Sequence, residues 1–183
     1  MKGEETMPGG IKKSTKRLTI CAVITTLGVI VLSLGSILEV LDLSAAALAG
    51  ILVAIVVIEV GGIWPWLVWA ATGLLSLLLP LKTAAIFYLI FAGYYPILKE
   101  KIEMLGSRLL QWVIKLLMMN TALTLVILVT KYILVLPDET LDWTWLIYPL
   151  ANTAFVLFDI ALTRLITVYL FKWRKKLGIK GLK

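Results

Sequence analysis

The chain has 183 residues, of which 61% are hydrophobic, and its mean hydropathy is +0.99, whereas soluble domains are only about 45–50% apolar. It contains no histidine and a single cysteine, Cys21, which excludes imidazole metal sites and a disulfide within the chain. The composition predicts one all-α integral membrane domain, with no separate soluble catalytic or nucleotide-binding domain.

Six apolar stretches are predicted to cross the membrane as helices of one bundle. They cover residues 18–38, 44–60, 63–79, 83–98, 109–136 and 143–173. This six-helix membrane domain, 18–173, is predicted to lie between a disordered basic cytoplasmic tail, 1–17, and a second basic cytoplasmic tail, 174–183. Residues 99–108 are the longest internal hydrophilic stretch and are predicted to form a charged loop.

The net charge of +7 comes mainly from lysines and arginines that flank the apolar stretches. Under the positive-inside rule, the basic tails and the 99–108 loop are cytoplasmic, and the acidic loops around Asp42 and Asp138 lie on the opposite side. Both termini are therefore predicted to be cytoplasmic, in a multi-pass protein of the cell membrane. Such basic clusters contact anionic membrane lipid, and nucleic acid is not an expected partner.

The last apolar stretch carries Asp159 and Arg164 at membrane depth. A charge there costs about 2.5–3.5 kcal/mol or more unless it is paired or hydrated, so we expect a buried charge cluster. Its predicted members are Glu59, Lys115, Asp159 and Arg164. For Asp159, direct contact with a ligand or a proton is an equally good interpretation.

The same stretch contains Pro149, which lacks an amide proton and frees a backbone carbonyl beside Asn152. Asn152 and Asp159 are seven residues apart, so they share a helix face, with Tyr148 and Phe155 on or near it. A kinked helix bordered by aromatic rings is suited to a small-molecule pocket. The alternative is a packing kink whose free carbonyl is satisfied by a hydroxyl group or by water.

Small residues recur every four positions at Ala46, Gly50 and Ala54 in the second stretch, and more weakly at Ala22 and Thr26 in the first. This pattern lets helix backbones approach each other closely. It predicts either packing inside the bundle, which we favour, or an exposed face that docks a partner.

Catalytic motifs are missing from the apolar stretches. None contains a Ser–His dyad, a glycine-rich phosphate loop, an HExxH zinc motif or acids spaced as in nucleotidyl-alcohol transferases. The sequence therefore predicts that the chain is not an enzyme and binds no cofactor or metal.

The start of the first span, KRLTICAVITTL at residues 16–27, follows a basic segment and places Ala22 and Thr26 four residues apart. In this segment, and in its length and topology, the chain resembles the substrate-binding S components of energy-coupling-factor (ECF) transporters. Those are small six-helix membrane proteins with both ends in the cytoplasm. Where the family's first helix has two alanines at this spacing, the second position here is Thr26.

The resemblance implies a high-affinity receptor that captures a vitamin-like solute from outside, in a pocket lined by spans four to six and closed by the loop after span one. It also implies partners, namely a transmembrane coupling subunit docked on the small-residue faces and two cytoplasmic ATPases. Depth and polarity select the pocket candidates, which are Tyr88, Asn120, Lys131, Trp145, Tyr148 and Asn152. Snorkelling to the interface is the alternative role for Lys131, and a simple interhelical hydrogen bond is the alternative for Asn120.

A non-transporting membrane scaffold, similar to the rod-shape membrane protein D family, is the second interpretation. A scaffold would use the small-residue faces and the 99–108 loop to hold partners. The two interpretations make different predictions about the outer half of the bundle. The polar groups of a scaffold pair with each other, whereas those of a receptor converge on a cavity.

Overall fold

The computed structural model describes residues 8–38, 40–79, 83–133 and 144–173, all of them in helices or short connections. The tails 1–7 and 174–183 lie outside this part of the chain. The α-helices are α1 (Pro8–Ile37), α2 (Asp42–Glu59), α3 (Trp64–Leu77), α4 (Thr83–Phe87), α5 (Tyr95–Glu103), α6 (Arg108–Ile133) and α7 (Thr144–Val168), with π-helical turns at Tyr88–Ala92 and Tyr169–Trp173. The predicted all-α fold is confirmed for the described residues.

Four segments of these helices are long and apolar enough to cross a membrane. They are Ser14–Ile37, Asp42–Glu59, Arg108–Leu128 and Leu146–Lys172. Helix α3 is also apolar, but its 14 residues extend only about 21 Å at 1.5 Å per residue, and a bilayer core is about 30 Å thick. The chain thus has the helices of a membrane protein, and the number of six spans stays a prediction.

The fourth predicted span is an interrupted helix made of α4, the π-helical turn and α5. Helix α5 continues to Glu103, so the prediction of a loop over 99–108 is wrong except for residues 104–107. Pro96 lies in the first turn of α5, where its missing amide proton leaves no hydrogen bond unmade. The charged stretch is helical because Lys99 finds buried partners, which are described below.

Helix α2 is central and packs against α1, α3, α4, the π-helical turn, α5 and α7. Its small residues make this possible: Ala46 and Ala54 are 0% and 3% exposed. A Cβ atom added to Gly50 would lie 2.3 Å from the carbonyl oxygen of Ala92. Ala46, Gly50 and Ala54 therefore serve packing inside the bundle, and the prediction that they form an exposed docking face is corrected.

Helix α1 carries the other two docking candidates, and they lie on its exposed surface. Ala22 and Thr26 are both exposed, and the Thr26 hydroxyl donates to the carbonyl of Ala22 at 3.0 Å. The opposite side of α1 packs on α2 and α3 through Ile24 and Leu32. The small-residue face of α1 thus remains accessible to a partner or to lipid.

Helices α6 and α7 pack on each other and reach the rest of the bundle through a layer of aromatic rings. This aromatic layer consists of Phe91, Tyr95, Phe155 and Phe158. The Tyr95 ring lies 5.3 Å from that of Phe91, 5.2 Å from that of Phe155 and 6.0 Å from that of Phe158, measured between centroids. Such ring pairs each contribute about 0.5–1.5 kcal/mol beyond the area that they bury.

Candidate functional site

Beside the aromatic layer, α5, α6 and α7 bring together an ionic cluster made of Lys99, Glu103, Lys115 and Asp159. The Lys115 ammonium lies 2.9 Å from Asp159 Oδ2 and 2.9 Å from Glu103 Oε1, and Lys99 Nζ lies 2.5 Å from Asp159 Oδ1. Lys99 also pairs with Glu103. The Tyr95 hydroxyl donates to Asp159 Oδ1 at 2.5 Å, so the cluster is joined to the aromatic layer.

The ionic cluster is electrically balanced, with two ammonium groups and two carboxylates. Lys99, Lys115 and Asp159 are 1%, 4% and 3% exposed, whereas the Glu103 side chain is 40% exposed. Lys99 also donates to the Thr163 hydroxyl at 2.9 Å. Because each buried charge has partners of opposite sign, the cluster avoids most of the cost of a lone charge at membrane depth.

The predicted charge cluster and the observed one share only Lys115 and Asp159. Glu59 is buried elsewhere, where its Oε1 atom accepts a hydrogen bond from the Tyr169 hydroxyl at 3.2 Å. Arg164 is exposed, since five residues separate it from Asp159 and at about 100° per residue this places it on another face of α7. The cluster membership predicted for Glu59 and Arg164 is therefore wrong.

Sequence reasoning missed Tyr95, Lys99 and Glu103 as members of this site. They are spaced four residues apart, the spacing of side chains on one helix face. Pro96 at the second of these positions is typical of a helix start. This combination predicts a helix with one polar face, and the high charge of the stretch led instead to the prediction of a loop.

A second polar contact joins α6 and α7 and consists of two side-chain amides. Asn120 Nδ2 donates to Asn152 Oδ1 at 3.2 Å, and Asn152 Nδ2 donates to Asn120 Oδ1 at 2.9 Å. Further along, the hydroxyls of Thr124 and Tyr148 lie 3.0 Å apart. With Lys115 and Asp159, these contacts form a ladder of polar pairs between two antiparallel helices.

The amide pair should show measurable coupling in a double-mutant cycle. We expect Asn120→Ala and Asn152→Ala to be coupled by about 0.6–1.7 kcal/mol, the average to maximum range for side-chain hydrogen bonds between membrane helices. The measurement is the free energy of unfolding in mixed micelles for the two single variants and the double variant.

A neighbouring pair of threonines provides the control for that cycle. The hydroxyls of Thr121 and Thr153 bond to carbonyls of their own helices, those of Leu117 and Pro149. A cycle of Thr121→Ala and Thr153→Ala should therefore give a coupling near zero. Equal coupling in both cycles would contradict the specific role of the amide pair.

A cavity of about 270 Å³ lies between α2, the π-helical turn, α6 and α7. Its large lining side chains are Phe91, Met119, Phe155 and Phe158, and most of the others are small. Ser44 lines the cavity at the start of α2 and is exposed, so the cavity opens to the surface there. The cavity is on the opposite side of the aromatic layer from the ionic cluster.

Other recesses are less enclosed by helices. A cleft of about 640 Å³ lies between α3, the segment 89–98 and α6, with Trp66, Trp69 and Tyr94 among its lining residues. A groove of about 650 Å³ is lined by α6 alone, and it includes Asn120. In a bilayer, surface recesses of this kind are open to lipid chains, whereas the cavity with Phe91 is bounded by four helical segments.

None of the predicted pocket residues lines that cavity as far as the structure describes them. Tyr88 is 0% exposed within the core, and Asn120, Tyr148 and Asn152 are engaged in the α6–α7 ladder. The side chains of Lys131 and Trp145 lie outside the described part of the chain. The location of the cavity, near spans four to six and the start of α2, is nevertheless the one that the resemblance implies.

The chemistry of the site is that of binding by shape and apolar contact. The cavity offers aromatic rings and a thioether, groups that bind flat apolar molecules by stacking and dispersion. Among the described residues, no group of three or more His, Cys, Asp or Glu side chains is arranged to hold a metal ion. Comparison with known protein families, curated proteins and solved structures yields no match to this chain.

Proposed function

We propose that this protein is a membrane receptor for a small, flat and largely apolar or aromatic solute, and that it works as the substrate-binding subunit of an ECF-type importer. The observation that carries the proposal is the cavity bounded by α2, the π-helical turn, α6 and α7. Its position agrees with the pocket of the S components that the chain resembles.

The size and lining of the cavity define the class of solute. Small-molecule sites usually measure about 300–1,000 Å³ and are mainly apolar, with a few polar groups. At about 270 Å³, this cavity suits a molecule of one or two rings. The rings of Phe91, Phe155 and Phe158 supply stacking surfaces, and the Ser44 hydroxyl supplies a hydrogen bond at the mouth.

The proposed topology has six spans in the cell membrane, with both termini and residues 104–107 in the cytoplasm. The distribution of lysine and arginine supports it. The cavity then lies towards the outside, and the ionic cluster lies between it and the cytoplasm. The coupling subunit docks on the exposed face of α1 that contains Ala22 and Thr26, because the small residues of α2 are buried.

Native mass spectrometry of gently purified protein tests the receptor proposal. We expect a co-purifying small molecule on the wild-type chain and on Leu157→Trp, whose side chain is 64% exposed and does not line the cavity. We expect its loss from Ala154→Trp, which introduces an indole ring at a residue that lines the cavity. Repeated absence of ligand from the wild-type chain, with no associated ATP-hydrolysing module, would contradict the proposal.

A scaffold is the second candidate, and one specific observation favours it. Three of the predicted pocket residues, Asn120, Tyr148 and Asn152, are paired within the α6–α7 ladder rather than directed at the cavity. Cross-linking in intact cells distinguishes the candidates. A coupling subunit with ATPases among the products supports the receptor, and constant partners without any ATPase support the scaffold.

A further inference from the structure

We propose that the ionic cluster is a gate that closes the solute cavity on the side of residues 104–107. The proposal rests on the proposed function for the identity of the cavity, and it adds a route by which the solute leaves. The gate consists of Lys99, Glu103, Lys115 and Asp159, and it is closed in this structure.

The order of the layers along the bundle supports a gate at this position. The cavity comes first, then the aromatic layer, then the ionic cluster, and finally the connection at 104–107, which follows Glu103 directly. Phe155 and Phe158 line the cavity and lie one turn or less from Asp159 on α7. A solute that moved from the cavity towards residues 104–107 would have to pass between the helices that the cluster joins.

The contacts of the cluster are all between different helices except one. Asp159 on α7 binds Lys99 on α5 and Lys115 on α6, and Lys115 also binds Glu103 on α5. Only the Lys99–Glu103 pair lies within one helix. Breaking the contacts of Asp159 therefore separates α7 from both neighbours at once, as the opening of a gate requires.

The position of Tyr95 connects the gate to the cavity. Its ring packs on Phe91, Phe155 and Phe158, the three aromatic residues of the cavity wall, and its hydroxyl bonds to Asp159. A solute that displaces these rings also moves the hydroxyl that holds the carboxylate. The cluster thus responds to the contents of the cavity without touching the solute.

Physical considerations favour a gate over a purely stabilising role. Buried ion pairs are often no more stabilising than apolar residues of the same volume, because desolvation offsets their attraction. An ionic contact can be exchanged for water when helices separate, and the Glu103 side chain, 40% exposed, already meets the surface. Ionisable groups at membrane depth commonly mark the pathway of a solute or ion.

The test measures access of a thiol reagent to the cavity from each side of the membrane. Cys21, the single cysteine, is replaced by alanine, and Ala92→Cys places a thiol on the cavity wall. The chain is inserted in sealed vesicles of known orientation and treated with a membrane-impermeant maleimide. This measurement requires no solute, so it can fail independently of the receptor proposal.

Two charge-balanced variants open the gate without leaving a lone buried charge. Lys115→Met/Asp159→Asn keeps the Lys99–Glu103 pair, and Lys99→Met/Glu103→Gln keeps the Lys115–Asp159 pair. The matched control is Arg164→Gln, which removes an exposed charge of α7 outside the cluster.

We expect the labelling rate from the side of residues 104–107 to rise at least about tenfold in Lys115→Met/Asp159→Asn, because the contacts of a buried ion pair contribute strongly to the state that contains them. The second variant should show a smaller rise, and Arg164→Gln none. Folded variants whose labelling equals that of the control would overturn the gate. Failure of both variants to fold would overturn it as well, since the cluster would then be a requirement of folding.

Discussion

Replacement of Asp159 by alanine should destabilise the protein by about 3–5 kcal/mol, the usual effect of removing one partner from a buried ion pair. The carboxylate accepts hydrogen bonds from Tyr95, Lys99 and Lys115, and all these donors lose a partner together. Glu103 alone then faces two buried ammonium groups. The measurement is the free energy of unfolding in mixed micelles.

Arg164→Gln is the control for this prediction, because it removes a charge from the same helix at an exposed position. Its effect should stay within about 0.5 kcal/mol, as for most surface substitutions. An Asp159→Ala effect no larger than that of the control would mean that water reaches both lysines. The description of a dry, mutually neutralising cluster would then be wrong.

Gly50→Ala should destabilise the bundle by about 1–3 kcal/mol or more, the range for overpacking in a tight core. The added Cβ atom would lie 2.3 Å from the carbonyl oxygen of Ala92 and 3.1 Å from its carbonyl carbon. These are backbone atoms of the π-helical turn, so no side-chain rotation relieves the clash. The loss appears despite the gain of about 0.8–1 kcal/mol in helix propensity that alanine brings.

Gly106→Ala is the matched control, since a Cβ atom there meets nothing within 4 Å. We expect its melting temperature in detergent to stay close to that of the wild-type chain, while that of Gly50→Ala falls. A neutral or stabilising Gly50→Ala would show that α2 and the π-helical turn can move apart at little cost. The close approach of these two elements would then not be a requirement of the fold.

The helical fold was predictable because apolar stretches of this length have few other solutions in a membrane. The Lys115–Asp159 contact was also within reach, since counting residues from the ends of two antiparallel helices places both groups at a similar depth. Depth alone does not give the direction in which a side chain points. That is why Arg164, one and a half turns from Asp159, was wrongly included.

The failure at Lys99 and Glu103 has a different physical origin. A hydrophilic stretch is predicted to be a loop because lone charges are costly when buried, but mutual pairing removes that cost. Pairing depends on residues of α6 and α7 that are distant in sequence, so it is invisible to local reasoning. The cavity was missed for a similar reason, because it is a space left between four segments rather than a property of any one of them.

The π-helical turn at Tyr88–Ala92 determines which residues form the ionic cluster. Its hydrogen bond runs from the amide of Gly93 to the carbonyl of Tyr88 at 2.8 Å, and such a ring contains one residue more than that of an α-helix. Everything after the turn is therefore rotated by about 100° relative to an uninterrupted α-helix. A chain shorter by one residue here would keep its composition and its hydropathy profile, and yet Tyr95 and Lys99 would face a different neighbour. The extra residue acts as a phase shift that separates a packing surface before it from a polar surface after it.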